Sequence, residues 1–198
     1  MSQFIESICI KDGLVSNLSV HQSRVDRTFN AFAASEMPID LFLLVDHLVK
    51  PATGWYKLRV TYDLYGNHNA ELIAYQMKSI SKFGLIDIHG KTYEYKYANR
   101  DWINEALEKS GMDEIILHDA GLIKDTSYAN LVFYDGTDWY TPEAPLLEGT
   151  QRAKLIQEGI IQPKYLYLED LANYTKFKCI NALMGWEDTI EYDISIIG

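Results

Sequence analysis

Two Asp-Gly pairs, at 12–13 and 135–136, stand between runs of β-branched and aromatic residues. "FIESICI" and "LVSNLSV" flank the first pair; "YANLVFY" and "TDWYTP" flank the second. Asp-Gly accepts the left-handed backbone that a tight hairpin turn requires. Each pair therefore predicts a β-hairpin, and the chain must fold with antiparallel sheet near both ends.

Helical patterns interrupt these strands. Ser19 can cap a helix through "VHQSRVDRTFNAFAAS", in which Val25, Phe29 and Phe32 recur on one face. Pro38 can open a second helix, "PIDLFLLVDHLV". "WYKLRVTYDLY" and "AELIAYQMKSI" read as strands parted by the turn residues "GNHN". Further on, "NRDWINEALEKSG" reads as a helix closed by Gly111, "DEIILHD" as a buried strand and "GTQRAKLIQEGI" as a helix. "KFKCINALMGW" and "TIEYDISII" read as strands. The expected fold is α+β, with a small domain over residues 1–85, a larger one over 86–198, and a boundary between 81 and 90.

Eighteen basic residues against 28 acidic ones leave a net charge of -10. No basic stripe exists to release counterions, which argues against a nucleic-acid partner. The apolar run "LFLLVDHLV" is broken by Asp46 and His47, so no membrane span is expected. Cys9 and Cys179 lie in no metal or redox motif. No metal is expected, a reducing cytoplasm is the simplest setting, and "MSQFIES" carries no secretory pattern.

Four short stretches carry chemistry. In "YEYKYANR", Lys96 sits among tyrosines, ahead of Asn99 and Arg100. An amine that loses its proton near neutrality can form a carbonyl adduct. In "VHQSRVDR", His21 and Arg24 are one helical turn apart, with Arg27 following. Arg24 could fork onto a phosphate. In "LLEGTQRAKLI", Gly149, Thr150 and Gln151 open a helix whose first N–H groups can receive an anion. In "KDTSYANLVF", Asp125 precedes Asn130 by five residues, and a buried carboxylate there could pair with a protonated ring nitrogen. Each stretch alone has an ordinary structural reading. In this order they supply what pyridoxal phosphate needs: cation and helix end for the phosphate, lysine for the aldehyde, acid for the pyridine nitrogen.

From Phe4 to Met184 the chain resembles the class IV (fold-type IV) pyridoxal-phosphate enzymes. "FIESI…DGLVSNLSVHQSR" is similar to the family's first strand, hairpin and phosphate-arginine helix. "DEIILHDAGLIKDTSYANLVF…YTP…LLEGTQR" is similar to its most specific block. "KYANR" and "INALMG" resemble the forms found in 4-amino-4-deoxychorismate lyases rather than in transaminases.

The resemblance implies a shortened N-terminal α/β domain, a C-terminal β-barrel-like domain carrying the Schiff-base lysine, and a homodimer. It implies that Lys96 is catalytic, and that Arg24, Asp125, Asn130, Thr150 and Gln151 join it in holding pyridoxal phosphate. It sets Arg59, Arg100, Asn181 and Ala182 beside an amino-acid-like small molecule, with Lys57 a further candidate. The implied activity is the lyase reaction, with a class IV aminotransferase or an impaired, cofactor-free relative as alternatives. One departure bears on the chemistry: the family usually has Glu where Asp125 stands, and aspartate reaches about 1.5 Å less far, one C–C bond.

Overall fold

In the computed structural model, which describes residues 3–198, the first Asp-Gly pair closes a hairpin between strands β1 (Phe4–Lys11) and β2 (Leu14–Val15). Asp12 and Gly13 both have positive φ, 51° and 78°, as a type I′ turn demands. Strands β3 (Trp55–Tyr62) and β4 (His68–Ala74) complete an antiparallel sheet in the order β2-β1-β3-β4.

Alternation along β1 and β3 sends Phe4, Ile8, Ile10, Leu58, Val60 and Tyr62 to one face. Val25 and Phe29 of helix α1 (Leu18–Phe32) and Leu41 and Val45 of helix α2 (Leu41–Asp46) bury that face. Both helices start away from the expected residues. Asn17, not Ser19, stands at the α1 N-terminus, in a left-handed conformation. Asp40, not Pro38, starts α2, where its carboxylate accepts from the N–H groups of Phe42 and Leu43. The short Asp side chain reaches those orphan donors; proline has no side-chain acceptor to offer them.

The chain divides into two units, Met1–Met77 with Tyr95–Asn99, and Lys78–Glu94 with Arg100–Gly198. Residues 95–99 thus belong to the first unit, although the chain on either side of them belongs to the second. Pairing with β1 holds them: Phe4 and Tyr97 form an antiparallel bridge, Ile5 N–H donates to Lys96 O, and Ala98 N–H donates to Gln3 O. Ring packing adds to this, with Tyr97 stacked 5.2 Å from Phe4 and Tyr95 edge-on 4.6 Å from Phe32. Lys96, expected in the C-terminal domain, is consequently part of the first unit.

The second unit is built on a mixed sheet in the order β10-β9-β8-β7-β6-β5, with β11 beside β8 and β12 beside β11. Its strands are β5 (Phe83–Asp87), β6 (Glu114–Asp119), β7 (Leu122–Thr126), β8 (Asn130–Tyr134), β9 (Trp139–Pro142), β10 (Gln162–Lys164), β11 (Lys176–Ile180) and β12 (Glu191–Asp193). β5 and β6 run parallel, joined through helix α3 (Asp101–Ser110), which ends on left-handed Gly111. Helix α4 (Thr150–Gln157) follows β9. The order ends at β10 and β5, which do not pair, so the sheet is open rather than barrel-like. The expected last strand, "TIEYDISII", is a three-residue strand followed by a turn of 3₁₀ helix. Phe83, Leu131, Phe133 and Phe177 form the centre of the core. Among the described residues, no helix is long and apolar enough to cross a membrane.

Candidate active site

In the first unit the chemistry gathers around a residue the sequence reading passed over. Glu6 occupies an inward position of β1, between Phe4 and Ile8, and is fully buried. A carboxylate there must find partners. Helix α1 brings them on its buried face, one turn apart. Arg24 Nε donates to Glu6 Oε1 at 2.7 Å and Nη2 to Oε2 at 2.5 Å. His21 Nδ1 lies 2.6 Å from Oε2. Burial pushes the Glu6 carboxyl up, but the charge and hydrogen bonds of Arg24, then those of His21, outweigh it and hold the group at about 2.

A carboxylate only accepts, so His21 donates from Nδ1 and Nε2 carries the lone pair. Burial chiefly, with the charges of Arg24 and Lys96 adding to it, lowers the pKa of His21 against the pull of Glu6. The imidazole is neutral, and its buried Nε2 finds no hydrogen-bond partner. The fork formed by Arg24 Nε and Nη2 is thus closed onto Glu6. Arg27 is on the exposed side of α1. Lys96 is half-buried on the 95–99 segment, close enough for its charge to act on His21.

Arg59 lies elsewhere. It alternates with buried Leu58 and Val60 on β3, so it occupies the sheet face away from Arg24, where its Nε is buried without a partner. Lys57 shares that face.

In the second unit, Asp125, next to the end of β7, pairs directly with Asn130, which begins β8. The five-residue spacing is a turn, closed by Thr126 N–H on Ala129 O at 2.9 Å. Asn130 Nδ2 donates to Asp125 Oδ1 at 2.7 Å and to Leu147 O at 2.8 Å; Leu147 N–H donates to Asp125 Oδ2 at 2.9 Å. This ties the acid to the loop entering α4. Gly149 precedes that helix with no side-chain cap, and a Cβ there would collide with Asn130 Oδ1. Thr150 and Gln151 are buried behind it, and Thr150 Oγ1 has no hydrogen-bond partner. Acid, amide, glycine and hydroxyl therefore form one cradle. Buried Arg152, also missed from the sequence, donates through Nη2 to Pro142 O at 2.8 Å.

Arg100 Nη2 donates to Ser127 O, which secures the turn between Asp125 and Asn130. Asn181 Oδ1 accepts from Leu183 N–H at 2.9 Å, shaping a half-buried turn that includes Ala182 after β11. The structure does not bring Asn181 and Ala182 into hydrogen bonds with the cradle.

Burial raises the Asp125 carboxyl from 3.8 to about 6, against the bonds from Asn130 and Leu147 and the charge of Arg152. The two buried acids therefore respond to pH in opposite directions. A folded-state pKa above the unfolded one means that the folded chain binds the proton more tightly. Asp125 thus contributes stability that is present below about pH 4 and lost as pH rises through about 6, on the order of 3 kcal/mol. Glu6 contributes stability that is present above about pH 4.5 and lost as pH falls through about 2. Urea unfolding of the wild type and of Asp125→Asn between pH 4 and 7 should show the stability difference shifting toward the variant as pH rises. A difference independent of pH would refute this assignment.

These features define an enzyme fold with a lysine, a clamped arginine, a buried acid and a glycine-entered helix. The family model for amino-transferase class IV matches residues 90–188. The chain belongs to the class IV aminotransferases. An uncharacterized protein of Haemophilus influenzae is 34% identical over 188 residues, covering 93% of this chain and all of the relative. The crystal structure of a candidate 4-amino-4-deoxychorismate lyase from Haemophilus somnus 129PT superimposes with a TM-score of 0.86 at 31% identity. That match covers 93% of this chain and 98% of the other. A hypothetical aminotransferase of Mycobacterium tuberculosis, solved in its pyridoxal-phosphate-bound form, shares the fold at 13% identity and TM-score 0.75, over 98% of this chain and 81% of that one.

Proposed function

We propose that this enzyme uses pyridoxal phosphate to cleave a small amino-acid-like substrate in the manner of a 4-amino-4-deoxychorismate lyase, releasing pyruvate and 4-aminobenzoate. The near full-length likeness to the Haemophilus somnus protein carries this reading. The residues fit the cofactor. Thr150 Oγ1 is a buried donor without a partner, and Gly149 keeps the entry to α4 clear of a Cβ.

Pyridoxal phosphate, when bound, supplies an aldehyde for the substrate amine and an electron-withdrawing ring. Lys96 Nζ would hold that aldehyde and, once displaced by the substrate, accept the proton from the carbon bearing the amine. The N–H groups opening α4, Thr150 Oγ1 and Gln151 would hold phosphate oxygens, with Arg24 adding charge. Asp125, ionised above about pH 6, would hold the proton on the ring nitrogen. Asn130 and Leu147 keep the carboxylate in place.

The family match favours a second reading, transamination of an amino acid, on the same residues. Reduction with borohydride in the presence of pyridoxal phosphate tests the shared chemistry. The expected result is one reduced pyridoxyl-phosphate adduct, mapped by peptide mass to Lys96. Absence of an adduct, or its placement on another lysine, would sink the proposal. Formation of 4-aminobenzoate from 4-amino-4-deoxychorismate, without amino transfer to 2-oxoglutarate, separates lyase from transaminase.

A further inference from the structure

Glu114, at the start of β6, is fully buried and takes no part in the chemistry proposed above. Its Oε2 accepts from Lys78 Nζ at 3.1 Å, and that lysine side chain is half exposed. Its Oε1 accepts from Ser127 N–H at 2.9 Å and from Ile115 N–H at 3.1 Å. Ser127 O in turn accepts from Arg100 Nη2. Ser127 thus has its N–H tied to one side chain and its C=O to another. Glu114, Lys78, Arg100 and Ser127 all belong to the second unit.

Ser127 lies in the turn between Asp125 and Asn130, where the sheet itself gives the acid little support. The register of β6 against β7 shifts between Ile116 and His118, which pair with Thr126 and Ile123. Lys124 and Asp125 therefore face the single residue Leu117, as in a β-bulge, and a bulge interrupts the ladder and re-aims side chains. Toward β8, Asp125 has one pairing, with Asn130. Bonds between Thr126 and Ala129 give the turn its shape. Glu114 adds a second tie to β6, beyond the pairing of Thr126 with Ile116.

We propose that Glu114 is a positioning residue for Asp125: it holds Ser127 N–H, opposite Arg100 on the carbonyl, and so fixes the turn that places the acid for the cofactor's ring nitrogen. The proposal rests on the cofactor reading above. Its consequence is confined to one atom of the ligand. A turn released from Glu114 carries Asp125 with it and weakens the contact to the ring nitrogen.

A deaza analogue of pyridoxal phosphate, with C–H in place of the ring nitrogen, isolates this role. Dissociation constants of both ligands are measured by titration of the full-length apoprotein, as wild type, Glu114→Met and Glu114→Gln. The readout is the preference for pyridoxal phosphate over the deaza analogue. Methionine leaves Ser127 N–H without its acceptor, whereas the glutamine amide oxygen can still accept it. Expected is a preference reduced about tenfold in Glu114→Met, the equivalent of one charge-assisted hydrogen bond, and within about twofold of wild type in Glu114→Gln. A merely structural Glu114 would weaken both ligands alike. An unchanged preference in Glu114→Met therefore overturns the proposal, as does an equal reduction in the two variants.

If Glu114→Met does not fold, Glu114→Asp decides. It keeps the charge but falls about 1.5 Å short of Ser127 N–H, one C–C bond. A reduced preference supports the proposal and an unchanged one overturns it. A wild-type chain that binds neither ligand refutes the cofactor reading and the proposal with it. A wild-type chain that binds both equally refutes the ring-nitrogen role of Asp125, and with it the proposal, while the cofactor reading stands.

Discussion

Lys96→Ala should lower turnover of 4-amino-4-deoxychorismate by at least about 10³-fold, because one side chain would both hold the cofactor and move the proton. The fold should barely notice. What anchors residues 95–99 is backbone pairing with β1 and the rings of Tyr95 and Tyr97, none of which the substitution removes. A half-buried position without a core role shifts stability by about 0.5 kcal/mol or less. Activity and urea midpoint measured on one preparation check this. Turnover within tenfold of wild type, in a folded variant, would remove Lys96 from the chemistry.

The largest effect on stability should come from Arg24→Met. It leaves Glu6 buried with His21 as its sole side-chain partner, and removing one member of a buried ion pair costs about 3–5 kcal/mol. Glu6→Met added to Arg24→Met should recover much of that loss, since a buried pair replaced by apolar side chains of similar volume is often near neutral. Recovery would be incomplete, because His21 Nδ1–H then lacks its acceptor, at about 1–3 kcal/mol. Equilibrium unfolding of wild type, both single variants and the double variant gives the coupling energy. Additive losses would contradict the geometry of the triad.

Local chemistry was legible where a few neighbouring residues decide the outcome. Asp12-Gly13 requires a turn of one hand, and that turn formed. Gly111 ends α3 for the same reason. Asp125 and Asn130 were readable as a pair because a short turn fixes their register. Glu6 was readable in principle: with Phe4, Ile8 and Ile10 inward, period two leaves Glu6 inward as well, and a buried carboxylate requires a cation within reach. What local reasoning could not supply was long-range pairing. Whether β5 meets β10 to close a barrel depends on strands far apart in the chain, and they do not pair. The home of Lys96 depends on Tyr97 finding Phe4, 93 positions away along the sequence. The tyrosines around Lys96 turned out to serve that anchoring.

The chain leaves one unit for the other after Met77, returns after Glu94 and leaves again after Asn99. No single cut can therefore yield two pieces that each contain a whole unit. A fragment ending at Met77 would lack both Lys96 and the rings of Tyr95 and Tyr97 that pack on Phe32 and Phe4; the complementary fragment would carry Lys96 on a segment without β1 to pair with.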